Sequence, residues 1–238
     1  MRGCWVMARR RIDRCRRPLR ATRPSPPSPL ADCMAVDCSL TEQPTAGGDL
    51  HNCGLAAAGV AYCWGANPLG ALGDGTLTDR PTPTLVAGGL SFATLSPGNA
   101  HTCGLISDGA AYCRGANGRG QLGDGTVIDR LTPVLVAGGL TLAMISTGSS
   151  HTCGVTPEGV AYCWGSNTGG KLGDGTTTAR LTPTQVAAGL RFSTVIAGAS
   201  VTCGITIAGV AYCWGEGDIG QVGDGGLSGR LLPSRVVR

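Results

Sequence analysis

A step of 50 residues recurs along this 238-residue chain and limits its folding choices more than any single motif. Cys53, Cys103, Cys153 and Cys203 mark it, as do Cys63, Cys113, Cys163 and Cys213, and Tyr62, Tyr112, Tyr162 and Tyr212. A Gly-Asp-Gly turn keeps the same phase at Asp74, Asp124, Asp174 and Asp224. An unbroken period of this length signals stacked supersecondary units that bury their faces against one another. Catalysis needs unlike residues converging on one point, whereas here every feature is dealt out evenly. The pattern points to a scaffold rather than an enzyme, and no catalytic residue is assigned.

One unit, beginning at Arg130, reads as four short strands. Residues 134–136 and 142–145 are apolar, β-rich runs on either side of a Gly138-Gly139 turn. Residues 152–156 and 160–164 flank Pro157-Glu158-Gly159, a second tight turn, and a glycine-rich connector runs on through Asp174. Four strands per unit joined by tight turns predict an all-β chain of β-propeller blades, each a four-stranded antiparallel sheet. With aromatics at 4%, the core must come from small aliphatic residues and the recurring Tyr and Trp.

If the second turn centres on Glu158, Cys153 stands directly opposite Cys163. The same logic around Asp108 pairs Cys103 with Cys113, and the period extends it to Cys53–Cys63 and Cys203–Cys213. Opposed Cβ atoms lie about 4.5–5.5 Å apart, close to disulfide geometry. The register also sets Gly154 against Tyr162 and Gly104 against Tyr112, which predicts an aromatic ring folded over each glycine. Four intra-blade disulfides are therefore expected, each contributing roughly 2–3 kcal/mol on a chain-entropy account. Reduced core cysteines are the competing reading. Zinc fits less well, because nine residues between cysteines is too open for one knuckle. Disulfides imply an oxidising compartment. Cys33 and Cys38 form a further candidate pair, while Cys4 and Cys15 are left unassigned.

The net charge of +4 is unevenly placed. Residues 1–45 hold nine Arg against Asp13, Asp32, Asp37 and Glu42, and the remaining residues carry ten basic against eleven acidic side chains. The repeat body is near neutral, so nucleic acid is not an expected partner. Residues 1–45 are Arg-rich and then Pro/Ser-rich, and are expected to be a disordered leader without the continuous apolar segment of a secretory signal. No apolar run reaches the roughly 20 residues of a membrane-spanning helix.

The segments "YCWGANPLGALGDGT", "YCRGANGRGQLGDGT" and "YCWGSNTGGKLGDGT" resemble the W-G-x-N-x-x-G-Q-L-G signature of regulator of chromosome condensation repeats. "GSSHTCGVTPEG" is similar to the same family's G-x-x-H and strand–turn–Gly pattern. The resemblance covers residues 46–238 as four repeats, and the cysteines resemble its bacterial, exported-type branch. It implies seven-bladed β-propellers; with four units here, a partial or open propeller is expected. The closing "RLLPSRVVR" is expected to supply the first strand of a further blade, with "TEQPTAGG" a poor candidate for the second. Arg114 stands where the signature has Trp, Val201 where His recurs, and the last unit lacks the Asn and Thr of the others.

His51, His101 and His151 share one repeat phase and, matching the G-x-x-H of the resembled family, are expected to be hydrogen-bonding residues at the blade tops rather than to gather round a metal. The Gly-Asp-Gly turns lack the alternating acidic ligands of a calcium loop. They read instead as Asx turns, with Arg80, Arg130, Arg180 and Arg230 placed to meet Asp74, Asp124, Asp174 and Asp224. No glycine cluster opens a helix, so a phosphate loop is not expected. Trp64, Trp164 and Trp214 are assigned to packing.

The expected function is a noncatalytic protein-interaction scaffold, extracellular or at the cell surface, with a cytoplasmic location as the alternative. It is read without cofactor or metal, and the loops at the blade tips, Arg119 and Lys171 among them, recognise a protein partner of unknown identity. Self-association to complete the ring is a further expectation. The rival function is guanine-nucleotide exchange on a small GTPase, implied by the family's namesake. That activity uses a wedge between strands, for which the regular 50-residue step leaves no room.

Overall fold

The computed structural model describes residues 46–187 and 189–237. The expected disordered leader and the candidate Cys33–Cys38 pair lie outside these residues.

Among the described residues, sixteen strands form four separate four-stranded antiparallel sheets, each a meander of consecutive strands. Blade 1 holds β1 (Ala46–Gly47), β2 (His51–Leu55), β3 (Ala61–Gly65) and β4 (Arg80–Leu85). Blade 2 holds β5 (Phe92–Pro97), β6 (His101–Ile106), β7 (Ala111–Gly115) and β8 (Arg130–Leu135). Blade 3 holds β9 (Met144–Thr147), β10 (His151–Val155), β11 (Ala161–Gly165) and β12 (Arg180–Gln185). Blade 4 holds β13 (Phe192–Ala197), β14 (Val201–Thr206), β15 (Ala211–Gly215) and β16 (Arg230–Arg235).

The grouping of strands corrects the sequence reading by one place. The strand at Arg130 is the outer strand of blade 2, bonded to β7, and not the first strand of the following blade. Gly138-Gly139 accordingly joins two blades and closes no hairpin. By the same shift Arg230–Arg235 completes blade 4 on β15 instead of starting a fifth. The weak strand at the front of the repeats survives as Ala46–Gly47, two residues paired with β2. Each outer strand carries a proline at the same place, Pro83, Pro133, Pro183 and Pro233, on the edge that no further strand covers among the described residues.

The middle hairpin of every blade has the expected register. Cys153 faces Cys163 and Gly154 faces Tyr162, with Gly159 N–H bonded to the Thr156 carbonyl at 2.9 Å across the turn. The sulfurs are bonded in all four blades, Cys53–Cys63, Cys103–Cys113, Cys153–Cys163 and Cys203–Cys213, with Cα atoms 4.1 Å apart. The glycine opposite tyrosine has a different cause from the one expected. A Cβ on Gly154 would stand 2.6 Å from Leu142 and 3.1 Å from the Met144 carbonyl, so the apolar residue preceding β9 fills that space. Phe92 does the same at Gly104.

The core is a series of seams between blades. Cys153, Val155, Ala161, Cys163 and Leu172 of blade 3 pack on Phe192, Val195 and Trp214 of blade 4. Cys103, Leu105, Cys113 and Leu122 of blade 2 meet Leu142, Ile145 and Trp164 of blade 3 in the same way. Cys53, Leu55, Cys63 and Leu72 of blade 1 meet Phe92 of blade 2. The disulfides of blades 1 to 3 are thus the floors on which the next blades sit. The second strand of one blade lies against the first strand of the next, and blades 1 and 4 do not meet: the propeller is open.

Candidate interaction surface

Two polar frames repeat with the blades, one inside the seams and one under the exposed loops. In the seams, His51 Nε2 lies 2.7 Å from Thr102 Oγ1, and the Thr102 hydroxyl donates to the Ala71 carbonyl at 3.0 Å. His101, Thr152 and Gln121 repeat the arrangement, as do His151, Thr202 and Lys171. A hydroxyl has one proton to give. With that proton on the carbonyl, the histidine must donate from Nε2, which fixes a neutral tautomer. Burial keeps these rings uncharged, pushing His101 and His151 down to about 3. His51 falls to about 4 through burial and then the nearby Arg114 charge. Each histidine thus ties its own blade to the next one. Among the described residues no group of three or more His, Cys, Asp or Glu is placed to hold a metal ion.

The 114/164/214 position looks into the same seams. Trp214 Nε1 donates to the Lys171 carbonyl at 3.0 Å. Arg114 uses Nε for the equivalent bond, to the Ala71 carbonyl at 3.1 Å, and reaches further with its remaining fork. Arg114 Nη2 donates to Cys63 Sγ at 2.9 Å and lies 3.6 Å from Cys53 Sγ. It is fully buried, Nη1 has no partner, and burial pushes its pKa down to about 9, which leaves it charged at neutral pH. Trp64, at the same position in blade 1, is half-buried because no described blade precedes it.

The loop frame is built on the Gly-Asp-Gly turns. Asp124 Oδ1 accepts from the Thr126 amide at 3.0 Å and the Thr126 hydroxyl at 2.7 Å, an Asx turn. Its Oδ2 meets Arg130 at 2.7 Å, and Asp74–Arg80 and Asp174–Arg180 match it at 2.7 and 2.8 Å. Asp224–Arg230 completes the set. Burial acts to raise the Asp74, Asp124 and Asp174 carboxyls, but hydrogen bonds from Thr and Arg outweigh it and hold all three below the usual range. Asn117, buried beneath the loop, donates to Asp124 and the Thr126 and Ile128 carbonyls and accepts from the Leu122 amide. Asn67 and Asn167 hold their loops in the same way, whereas blade 4 has Gly217 and Gly226 where the others have Asn and Thr.

Over this constant frame the exposed tips differ. Residues 77–78, 127–128, 177–178 and 227–228 read Leu-Thr, Val-Ile, Thr-Thr and Leu-Ser. Leu77, Val127, Ile128 and Leu227 are each more than half exposed. Residues 68–69, 118–119, 168–169 and 218–219 also differ, with Arg119 exposed and Ile219 84% exposed. Lys171 corrects the sequence reading. It is buried, with Nζ 3.4 Å from both Ser150 Oγ and the Ala199 carbonyl, so it braces a seam and presents nothing to a partner. Sequence reasoning missed the His–Thr clasp between blades, although Thr102, Thr152 and Thr202 repeat beside the histidines.

No helix among the described residues is long and apolar enough to cross a membrane. No curated protein matches the chain. Among solved structures, human WBSCR16 superposes with a TM-score of 0.74 at 21% identity over 82% of this chain and 52% of that one. Yeast RCC1 (Prp20), in its complex with Kap60, gives 0.73 at 22% identity over 83% and 50%. The ectodomain of the Physcomitrella patens receptor kinase CR4 gives 0.51 at 27% identity over 74% and 42%. The chain spans about half the length of these structures or less. The description "Regulator of chromosome condensation (RCC1) repeat" matches residues 58–105, 108–155 and 158–205, more than half of the sequence. With the signature, the blade topology and these matches in agreement, the chain belongs to the regulator of chromosome condensation repeat family.

Proposed function

We propose that this chain is a noncatalytic, disulfide-stapled scaffold that binds a protein through the connector loops at its blade tips, in an oxidising compartment outside the cytoplasm. One observation carries the reading: the Asn–Asp–Thr–Arg frame is the same under the loops of blades 1 to 3, while the exposed residues it holds up differ from blade to blade. A rigid base with variable exposed tips is how recognition loops are mounted. Leu77, Val127, Ile128 and Leu227 expose apolar area at an equivalent place in the blades, as interface anchors do. The four disulfides favour an oxidising location, and the resemblance to a receptor ectodomain supports it.

The test compares the oxidised chain with a variant carrying Leu77→Ser, Val127→Ser, Ile128→Ser and Leu227→Ser, both confirmed folded by circular dichroism. Each is used to capture proteins from the medium and surface fraction of its source cells. A partner held by the parent and lost by the variant supports the reading; equal capture by both overturns tip recognition. Faster nucleotide release from a small GTPase on adding the chain would favour the exchange-factor alternative.

A further inference from the structure

At Arg114 the seams depart from the tryptophan of blades 3 and 4, and the departure falls on a disulfide. In the seams after blades 2 and 3, Trp164 and Trp214 cover the bridge of the preceding blade. In the seam after blade 1 that place is taken by a guanidinium, with Nη2 donating to Cys63 Sγ at 2.9 Å. None of the ion pairs among the described residues involves Arg114, and its remaining hydrogen bonds go to a carbonyl and the second sulfur. A disulfide sulfur is a weak acceptor, so this buried charge is poorly compensated while the bridge is closed. A thiolate at the same place would pair with it fully. Positive charge beside a cysteine favours the thiolate, and stabilising the reduced form makes a dithiol pair more oxidising.

We infer that Cys53–Cys63 is a redox-sensitive site, the first of the three fully buried bridges to open to a dithiol reductant, because Arg114 stabilises the Cys63 thiolate. The reductant thiolate attacks Cys53 Sγ and forms a mixed disulfide as the S–S bond breaks, and Cys63 leaves with the bonding electron pair as a thiolate facing Arg114. The reductant's second thiol then loses its proton and attacks the mixed disulfide. Cys53 leaves with that electron pair and is protonated, and the reductant ends as its cyclic disulfide. Two electrons pass to the protein. Both cysteines are buried, so attack waits on local opening of blade 1.

The experiment equilibrates the full oxidised chain in buffers of graded reduced-to-oxidised dithiothreitol, quenches with acid, alkylates free thiols and maps them by mass spectrometry. The comparators are the buried bridges Cys103–Cys113 and Cys153–Cys163. Cys53–Cys63 should be half-reduced at a ratio at least tenfold lower, about 30 mV for a two-electron couple. Arg114→Trp, which installs the residue of blades 3 and 4, should remove that gap, and Arg114→Met serves if the indole does not seat. Trp164→Arg should transfer the lability to Cys103–Cys113. Co-reduction of all three bridges in the parent chain overturns the inference. So does an undiminished gap in the neutral variant, which would assign the lability to opening of blade 1 independent of Arg114.

Discussion

Removing one staple at a time separates what the disulfides do to the unfolded chain from what they do in the seams. Every bridge has a sequence separation of 10, so the chain-entropy contribution is the same in each blade, about 3 kcal/mol at 25 °C. The packing contribution differs. Cys103 and Cys113 are completely buried beneath Trp164, whereas Cys203 is partly exposed at the outer face of blade 4. Replacing two buried sulfurs by hydrogen leaves a void that adds about 1 kcal/mol. The double variant Cys103→Ala/Cys113→Ala should therefore lose about 4 kcal/mol, and Cys203→Ala/Cys213→Ala about 3. Urea unfolding without reductant, followed by tryptophan fluorescence, measures both. A larger denaturant slope in each variant is expected too, because an unstapled chain exposes more surface when unfolded. Equal losses in the two blades would refute the seam argument. A loss below about 1 kcal/mol in blade 2 would show that the hairpin persists unfolded and that the bridge constrains little.

Three further outcomes follow from the polar frames. Thr152→Val strands His101 Nε2 and the Gln121 carbonyl in a dry seam; it should cost about 2 kcal/mol, a fall in Tm of roughly 4–8 °C by calorimetry. Asp124→Asn removes the ion pair with Arg130 and weakens the Asx turn, with an expected loss of about 1 kcal/mol that shrinks in high salt. Acid should act in two stages. The three histidines have folded pKa values of about 3 to 4, below the unfolded value of 6.5, so the unfolded chain binds protons first. Stability is whole above pH 6.5 and falls as pH drops toward 4, by up to about 1.4 kcal/mol per pH unit for each ring. The depressed Asp74, Asp124 and Asp174 carboxylates add a second loss below pH 4. His101→Gln should flatten the first stage by one proton in urea titrations at pH 5 and 7; an unchanged midpoint between those values in the parent chain would contradict the buried neutral rings.

The features legible in the sequence were the local ones. Pro157-Glu158-Gly159 sets the hairpin, and the hairpin sets the register that brings Cys153 to Cys163. The Asp–Arg pairs were legible as well, because six residues separate partners that meet within one loop. Strand ownership was not. Residues 134–136 and 142–145 flank Gly138-Gly139 and look like a hairpin, yet the Arg130–Asp124 pair anchors the first run to its own connector, where it folds back on β7. Lys171 looked like a surface cation because its chemistry is polar; the phase of the repeat puts it in a seam, where Ser150 and Ala199 receive its ammonium. The His–Thr clasp joins residues 51 apart on different blades, and no local pattern reports such a pairing.

The four prolines of the outer strands have a consequence for the protein in bulk. An exposed sheet margin is a template on which a second molecule can lay down a strand, and this molecule offers four of them side by side. Pro83, Pro133, Pro183 and Pro233 each remove one amide donor and break the run of bonds such an intruder would need. Concentrated solutions are thereby guarded against lateral growth into fibrils, a safeguard that costs the blades nothing, since the missing donor was never asked to pair.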